Sequence, residues 1–135
     1  MANYEKYWLK AWSDRHIFEP DPIVRKKKVF VTFPYPYMQG PLHIGHCFTA
    51  TRCDIYARFK RMQGYNVLFP WAWHWTGESI VGQSYRLSQG DKAVRRAFIE
   101  IDKVPEKEVE KFTDPEYLAS YYTRVSRDAV TETGF

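Results

Sequence analysis

The feature that most constrains this chain is a strand, a long helix and a second strand in immediate succession. Residues 28–33 are rich in β-branched and aromatic side chains and too few for a helix, which predicts a strand. Residues 66–69 predict the second strand. The segment between them, 43–63, carries apolar side chains at helical spacing, namely Ile44, Phe48, Ile55, Phe59 and Met62, with Gly64 as a C-terminal cap. This order predicts an α/β fold with parallel strands and a right-handed crossover.

Further helices are predicted on both sides of this unit. They cover 3–12, 78–88, a segment capped by Asp91, 105–112, and a segment opened by Asp114-Pro115 with Leu118, Tyr121, Tyr122 and Val125 inside. The chain therefore divides into a helix and lead-in (1–27), the βαβ unit (28–70), and an aromatic loop followed by helices (71–135). No third strand is predicted, and a parallel sheet of two strands leaves apolar surface uncovered. We therefore expect the chain to be part of a larger fold.

Composition excludes several classes of protein. With 135 residues, 44% of them hydrophobic and 18% aromatic, the sequence is typical of a globular domain and not of a disordered chain. No apolar run approaches a membrane span, and the N-terminus lacks the form of a secretory signal. Cys47 and Cys53 lie six apart on one predicted helix, a poor geometry for a disulfide, which favours a reducing cytoplasmic location. A net charge of +4 fits an acidic partner such as a nucleotide or RNA without requiring one.

The turn between the first strand and the helix reads GPLHIGH, residues 40–46. In parallel sheets, ligands bind where strands end and helix N-termini present unpaired amides. His43 and His46 are three apart, so both rings lie on one face of the first helical turn, where imidazoles donate hydrogen bonds to phosphate oxygens and stabilise transition-state charge. Gly45, without a side chain, lets a planar base approach the helix. This combination suits ATP.

Three other interpretations of the turn stay open at this stage. The glycines have P-loop spacing, but the Lys and the Ser or Thr that a P-loop requires are absent. His43 and Cys47, at i and i+4, form a possible zinc pair that needs a third ligand such as His74. Two histidines at a helix start also fit a purely structural role as caps, which is the favoured interpretation of an isolated H-x-x-H.

Longer motifs carry a resemblance to a known family. Residues 42–46, LHIGH, resemble the HIGH signature of class I aminoacyl-tRNA synthetases. The stretch 33–46, FPYPYMQGPLHIGH, resembles leucyl-tRNA synthetases, and 71–77, WAWHWTG, resembles their archaeal and eukaryotic branch. The resemblance covers 4–135. It implies a partial Rossmann-like nucleotide-binding fold, with one βαβ unit and a HIGH-type turn plus additional helices, and the ATP-dependent activation of leucine and its transfer to tRNA(Leu).

The resemblance also implies roles for individual residues. Catalytic roles are implied for His43 and His46. ATP binding is implied for Gly40, Leu42, His43, Gly45 and His46, and amino-acid binding for Phe33, Pro34, Tyr35 and His74. His74 stands where related synthetases often hold an Asp that pairs with the substrate ammonium. No metal ligand is implied, and Mg²⁺ is expected to arrive with ATP. The implied partners are ATP, leucine, tRNA(Leu) and the remainder of the synthetase chain, with no membrane.

Two departures from the family pattern bear on activity. Ser79 stands where archaeal relatives commonly have Pro. A KMSKS-like loop, an editing domain and anticodon-binding helices do not occur in these residues. We therefore expect residues 1–135 to be the N-terminal part of a class I catalytic domain that is not active alone. The alternative is a non-catalytic paralogue, or a metal- or RNA-binding module that reuses the fold.

Overall fold

The chain is a mostly helical α/β structure with one two-stranded parallel sheet. The computed structural model describes residues 3–23 and 25–133. The elements, in chain order, are α1 Asn3–Asp14, β1 Lys28–Phe30, α2 Ile44–Met62, β2 Asn66–Leu68, α3 Glu78–Ser88, α4 Lys92–Arg96, α5 Glu106–Val109 and α6 Pro115–Thr133. A π-helical turn, Ala97–Ile101, follows α4, and a 3₁₀ turn, Glu110–Thr113, follows α5. In the part of the chain that the structure describes, no helix is both long and apolar enough to cross a membrane.

The chain forms two compact units, each with its own core. The first takes in the described residues up to Pro34, then His43–Trp71 and those from Val130 onward. The second contains Tyr35–Leu42 and Ala72–Ala129. The first core is small and centres on Val31, Ala57 and Val67. The second is larger and joins residues from 38 to 122, including Met38, Ile80, Phe98, Phe112, Leu118 and Tyr122.

The sheet confirms the predicted parallel pairing. Val29 lies opposite Val67, and the Val31 N–H adds one further bond, of 2.9 Å, to the Leu68 carbonyl. Both strands are three residues long, shorter than predicted. The physical reason is that, after the bond from Val31 N–H to the Leu68 carbonyl, the next bond of the ladder would need an N–H at position 70, which Pro70 lacks.

Helix α2 confirms the predicted element. It starts after its N-cap His43 and ends before its C-cap Gln63, so the predicted range of 43–63 includes both caps. The apolar residues that identified the helix are exposed, whereas Ala50 and Ala57 are fully buried. Small side chains let α2 approach the short strands closely, so close packing selects the alanine face of the helix.

In the second unit, the predicted caps are confirmed. The Asp91 carboxylate accepts from the backbone N–H groups of Ala93 and Val94 at the start of α4. The Asp114 carboxylate accepts from Glu116 N–H at 3.0 Å, and α6 begins at Pro115. The prediction that Val125 is buried was wrong. The buried stripe of α6 runs through Leu118, Tyr122 and Ser126 at four-residue intervals, and Val125 lies at its edge.

Candidate functional site

The N-terminus of α2 is closed by its two histidines. The backbone N–H of Gly45 donates to His43 Nδ1 at 3.1 Å. The backbone N–H of His43 donates to His46 Nδ1 at 3.2 Å. His43 has the extended backbone that an N-cap requires, with φ of −127° and ψ of 171°. The pair therefore forms a capping box in which imidazole nitrogens replace the usual hydroxyl and carboxylate oxygens.

This cap fixes the tautomers of both neutral rings. A nitrogen that accepts a hydrogen bond carries no proton, so each neutral ring holds its proton on Nε2. The ring centroids are 3.9 Å apart and the planes differ by 30°, so the imidazoles of His43 and His46 stack. The stacked pair therefore presents two adjacent Nε2–H donors, and such donors suit the oxygens of a phosphate chain.

The two rings differ in their surroundings. His43 is exposed and His46 is half-buried. Burial, and then the neighbouring His43, lowers the pKa of His46 below its ordinary value. His46 is therefore neutral at pH 7, and it acts there as a hydrogen-bond donor and not as a fixed positive charge.

Gly45 is required by the His43 ring. A Cβ at position 45 would lie 2.9 Å from His43 Cε1 and 3.0 Å from His43 Nδ1. The ring therefore lies directly over the glycine, and a methyl group there would displace it. This contact is a reason for the glycine that the sequence did not reveal.

We expect Gly45→Ala to separate the two imidazoles without unfolding α2, since Ala is a better helix former than Gly. The expected result is a shift of the His43 and His46 ring resonances in a two-dimensional NMR spectrum, while the circular dichroism stays helical. The matched control is Gly82→Ala, because a Cβ at that helical position meets nothing within 4 Å. Unchanged histidine resonances in Gly45→Ala would contradict the close contact.

We expect acid to open this cap. The unfolded chain binds the His46 proton with an ordinary pKa near 6.5, and the folded chain binds it only at lower pH. Between these values the unfolded state holds more protons, so stability falls as the pH falls below about 6.5. NMR titration of the histidine rings measures both effects. His16 is the internal control, because its bond to Glu19 raises its pKa. The opposite order of titration would contradict the assignment.

The second unit places His74 against Tyr37. The rings stack with centroids 4.1 Å apart and planes 20° apart. Backbone bonds align the two segments: His74 N–H donates to the Pro36 carbonyl at 2.9 Å, and Met38 N–H donates to the His74 carbonyl at 3.1 Å. His74 Nε2 lies 3.1 Å from Thr76 Oγ1. The His74 ring is therefore held on one face and at one nitrogen.

Tyr37 is a residue of the candidate site that the sequence analysis did not identify. Its ring also packs over Gly77, where a Cβ would approach Tyr37 Cε1 to 3.3 Å and where φ is +116°. The alternation Tyr35-Pro36-Tyr37 was a signal, because alternate residues of an extended segment point the same way. Tyr35 is half-buried and Tyr37 is exposed.

The other predicted site residues have less definite surroundings. Phe33 is buried, with its ring 5.0 Å from the Trp71 ring and 6.1 Å from the Phe69 ring. Pro34 is exposed, and Gly40 and Leu42 are half-buried. Phe33, Pro34 and the histidines of α2 belong to the first unit, whereas Tyr35, Gly40, Leu42 and His74 belong to the second.

In the described part of the chain, no set of ligands supports the zinc interpretation. Cys47 is exposed and Cys53 is half-buried, and both are free thiols. Over residues 3–23 and 25–133, no three His, Cys, Asp or Glu side chains come together as a possible metal site. His43 Nδ1 is already occupied by the Gly45 N–H. The capping interpretation, by contrast, is confirmed as a structural role of both histidines.

Ser79 occupies the first turn of α3. Its hydroxyl oxygen is buried without a hydrogen-bond partner among the described residues. A buried hydroxyl of this kind is unfavourable, whereas a first-turn proline would bury no polar group.

Comparisons with known proteins place these motifs in context. The family model of the tRNA synthetases class I (M) matches residues 29–127. The leucine--tRNA ligase of Methanothermobacter thermautotrophicus is 47% identical over 131 residues, which are 97% of this chain and 14% of the relative. The leucine--tRNA ligase of Pyrococcus horikoshii is 41% identical over 133 residues, again 97% of this chain and 14% of the relative.

A solved structure shares the fold. It is the ternary complex of Agrobacterium radiobacter K84 agnB2 LeuRS-tRNA-LeuAMS, which matches with a TM-score of 0.70 and 23% identity over 98% of this chain and 14% of that chain. The present chain thus spans about one seventh of the length of these relatives.

Proposed function

Because this chain belongs to the class I tRNA synthetases, we propose that it is part of a leucine--tRNA ligase and supplies groups that bind ATP and leucine. In the first reaction, a leucine carboxylate oxygen attacks the α-phosphorus of ATP, which forms leucyl-adenylate and releases pyrophosphate. In the second, a hydroxyl at the 3′ end of tRNA(Leu) attacks the leucyl carbonyl and releases AMP. The identity of 47% to an archaeal leucine--tRNA ligase supports this assignment.

The observation that carries the proposal is the pair of stacked imidazoles at the start of α2. Both Nδ1 atoms are occupied by backbone N–H groups, so both Nε2–H groups are left for a ligand. We assign them to ATP phosphate oxygens, on which negative charge shifts as the α-phosphorus is attacked. Their fixed tautomers mean that little reorganisation is needed at the moment of reaction.

The remaining ATP contacts follow from the same turn. We assign Gly45, with Gly40 and Leu42, to the adenosine part of ATP, within a Rossmann-like unit whose HIGH-type turn joins β1 to α2. Class I synthetases use ATP, and we expect Mg²⁺ to enter with its phosphates. No residue of this chain is assigned as a magnesium ligand.

His74, which stands where related synthetases often hold an Asp, can contact the substrate ammonium only as a neutral imidazole. A protonated histidine cannot pair with the ammonium of leucine, but a neutral one can accept a hydrogen bond from it. If Thr76 Oγ1 accepts from Nε2–H, Nδ1 keeps its lone pair for the ammonium. Tyr37 then holds the ring by stacking, and we assign Phe33, Pro34 and Tyr35 to the surroundings of the leucine side chain.

The partners follow from the relatives. We propose tRNA(Leu) and the rest of a synthetase polypeptide as partners, in agreement with the tRNA named in the matched ternary complex. The two free thiols agree with a reducing cytoplasmic location, which we propose as well.

The experiment that tests the function uses a grafted ligase, defined as the Methanothermobacter thermautotrophicus leucine--tRNA ligase with its matched stretch replaced by this chain. We expect leucine-dependent exchange of pyrophosphate into ATP, with isoleucine and valine far less effective. The free chain serves as the comparison and is expected to give only a trace. A folded grafted ligase that binds leucine but catalyses no exchange would favour a non-catalytic paralogue.

We expect His74→Ala in the grafted ligase to raise the KM for leucine at least tenfold while the KM for ATP changes less than threefold. The reason is that only the ammonium loses its acceptor, and a hydrogen bond to a charged group contributes about 1.5–3 kcal/mol. Initial-rate kinetics of pyrophosphate exchange separate the two constants. His74→Asn, which retains an acceptor oxygen, is the conservative control and should recover part of the leucine affinity. Equal changes in both KM values would argue against an ammonium contact.

A further inference from the structure

Helix α2 presents an exposed apolar stripe formed by Ile44, Phe48, Ile55, Phe59 and Met62. Their exposed fractions are 85%, 62%, 62%, 47% and 81%. At 100° per residue, the five side chains fall within a sector of about 60°. The buried Ala50 and Ala57 lie on the opposite side of the helix, where Ala57 packs with Val31 and Val67.

The stripe is too large for an unused surface. Aromatic side chains bury about 150–250 Å² when covered, and the five members of the stripe are on average about two-thirds exposed, so the stripe presents on the order of 500–700 Å². That is near the upper end for the largest patch on a typical monomeric protein, and such patches mark interaction sites. The stripe runs along the whole of α2, which spans 19 residues.

The charge around the stripe bears on what covers it. Of the four cations on α2, Arg58 pairs with Asp54 at 2.7 Å, Arg61 donates to the Phe18 carbonyl and Lys60 donates to Gln63. The Arg52 guanidinium lies 5.4 Å from the centre of the Phe48 ring, at the edge of the stripe. A second copy of α2 would bring like charges together, which is unfavourable. An apolar surface that places a carboxylate near Arg52 fits.

We propose that the stripe is the surface on which another part of a leucine--tRNA ligase polypeptide packs, through an apolar face bordered by Asp or Glu. This inference rests on the proposed function. The length comparison supports it, since this chain spans 14% of its archaeal relatives and the rest of their length offers the covering surface. A folded RNA is a poorer fit, because its phosphates satisfy cations but leave the aliphatic side chains of Ile44, Ile55 and Met62 uncovered.

Burial of the stripe is measured by labelling a thiol placed on it. Ile55→Cys is introduced into the free chain and into the grafted ligase, and mass spectrometry of the tryptic peptides gives the rate of maleimide reaction at position 55 itself. We expect the rate to fall at least tenfold in the grafted ligase. Ile23→Cys is the matched control, since Ile23 is a lone exposed residue, 87% accessible, and should react at the same rate in both.

A second pair of variants tests the energetic consequence. Ile55→Ser/Met62→Ser should change the urea midpoint of the free chain only slightly, because both side chains are largely exposed there, and should lower that of the grafted ligase much more. Equal labelling rates at position 55 in the two proteins would overturn the proposal. So would protection in the free chain that grows with its concentration, which indicates a second copy, or protection that requires added tRNA.

The outcomes for the stripe and for the function are separable. Protection at position 55 in a grafted ligase that lacks pyrophosphate exchange would support the packing surface and reject the catalytic function. Pyrophosphate exchange without protection at position 55 would support the catalytic function and reject the packing surface. A grafted ligase that does not fold with its stripe intact would also count against the packing surface, since the stripe then fails to fit a relative 47% identical to this chain.

Discussion

Replacement of His46 by Ala in the grafted ligase is expected to reduce leucine-dependent pyrophosphate exchange roughly 10²- to 10³-fold, the usual effect of removing one preorganised donor to transition-state charge. The His46 ring offers an Nε2–H whose position is fixed by the bond from His43 N–H to its Nδ1. Loss of the ring removes the donor from the transition state. Steady-state exchange assays at saturating leucine and ATP measure the change in kcat.

The structural role of the histidines requires a variant that keeps the cap. His43→Ser is suited to this, because Ser is a preferred N-cap and accepts the same backbone hydrogen bonds. We expect this variant to keep the helix content and thermal midpoint of the parent while the exchange rate falls at least tenfold. Cys47→Ser, an exposed neighbour on the same turn, is the control and should retain the parental rate. Full activity of His43→Ser would show that His43 acts only as a helix cap.

Truncation of Phe112 is expected to have the largest effect on stability. Its side chain is fully buried in the second core, with ring centroids of Phe98, Tyr121 and Tyr122 at 5.1, 5.1 and 5.8 Å. Removing such a ring leaves a cavity, and Phe→Ala changes in cores cost about 3–5 kcal/mol. Since small domains are stable by only about 5–15 kcal/mol, we expect the second unit of Phe112→Ala to be close to unfolding at 37 °C.

Urea titration followed by near-ultraviolet circular dichroism measures this loss, because the signal arises from packed aromatic rings. Tyr85→Ala is the matched control. Tyr85 is an aromatic residue of α3 that is 64% exposed, so its truncation should change the free energy of unfolding by less than about 0.5 kcal/mol. A Phe112→Ala midpoint equal to that of the control would show that the ring is not part of a cooperative core.

Local chemistry explains why so much of the secondary structure was predictable. Asp91 and Asp114 accept backbone N–H groups close in sequence, so their caps depend on no distant contact. The strand–helix–strand order likewise follows from composition and chain length, and it implies parallel pairing because two strands joined by a helical crossover run in the same direction. The strands were predicted too long because their ends depend on a partner, and Pro70 lacks the N–H that would continue the ladder.

The candidate site was predicted in its residues but not in its chemistry. The motif identified His43, Gly45 and His46 and their place at the start of a helix. It could not supply the ring tautomers, which depend on which backbone N–H each Nδ1 accepts, or the contact of the His43 ring with Gly45. Tyr37 was missed because its stacking partner His74 lies 37 positions along the chain.

By itself, the sequence determined which segments become helices and strands, where the capped helices begin, and which family the chain resembles. Each of these depends on residues within a few positions of one another. Tertiary structure alone decided which face of α2 is buried. Periodicity marks an apolar stripe but carries no information about what lies opposite it. Packing against the short parallel sheet buries Ala57, on the same side of the helix as the buried Ala50, and leaves five large apolar side chains exposed.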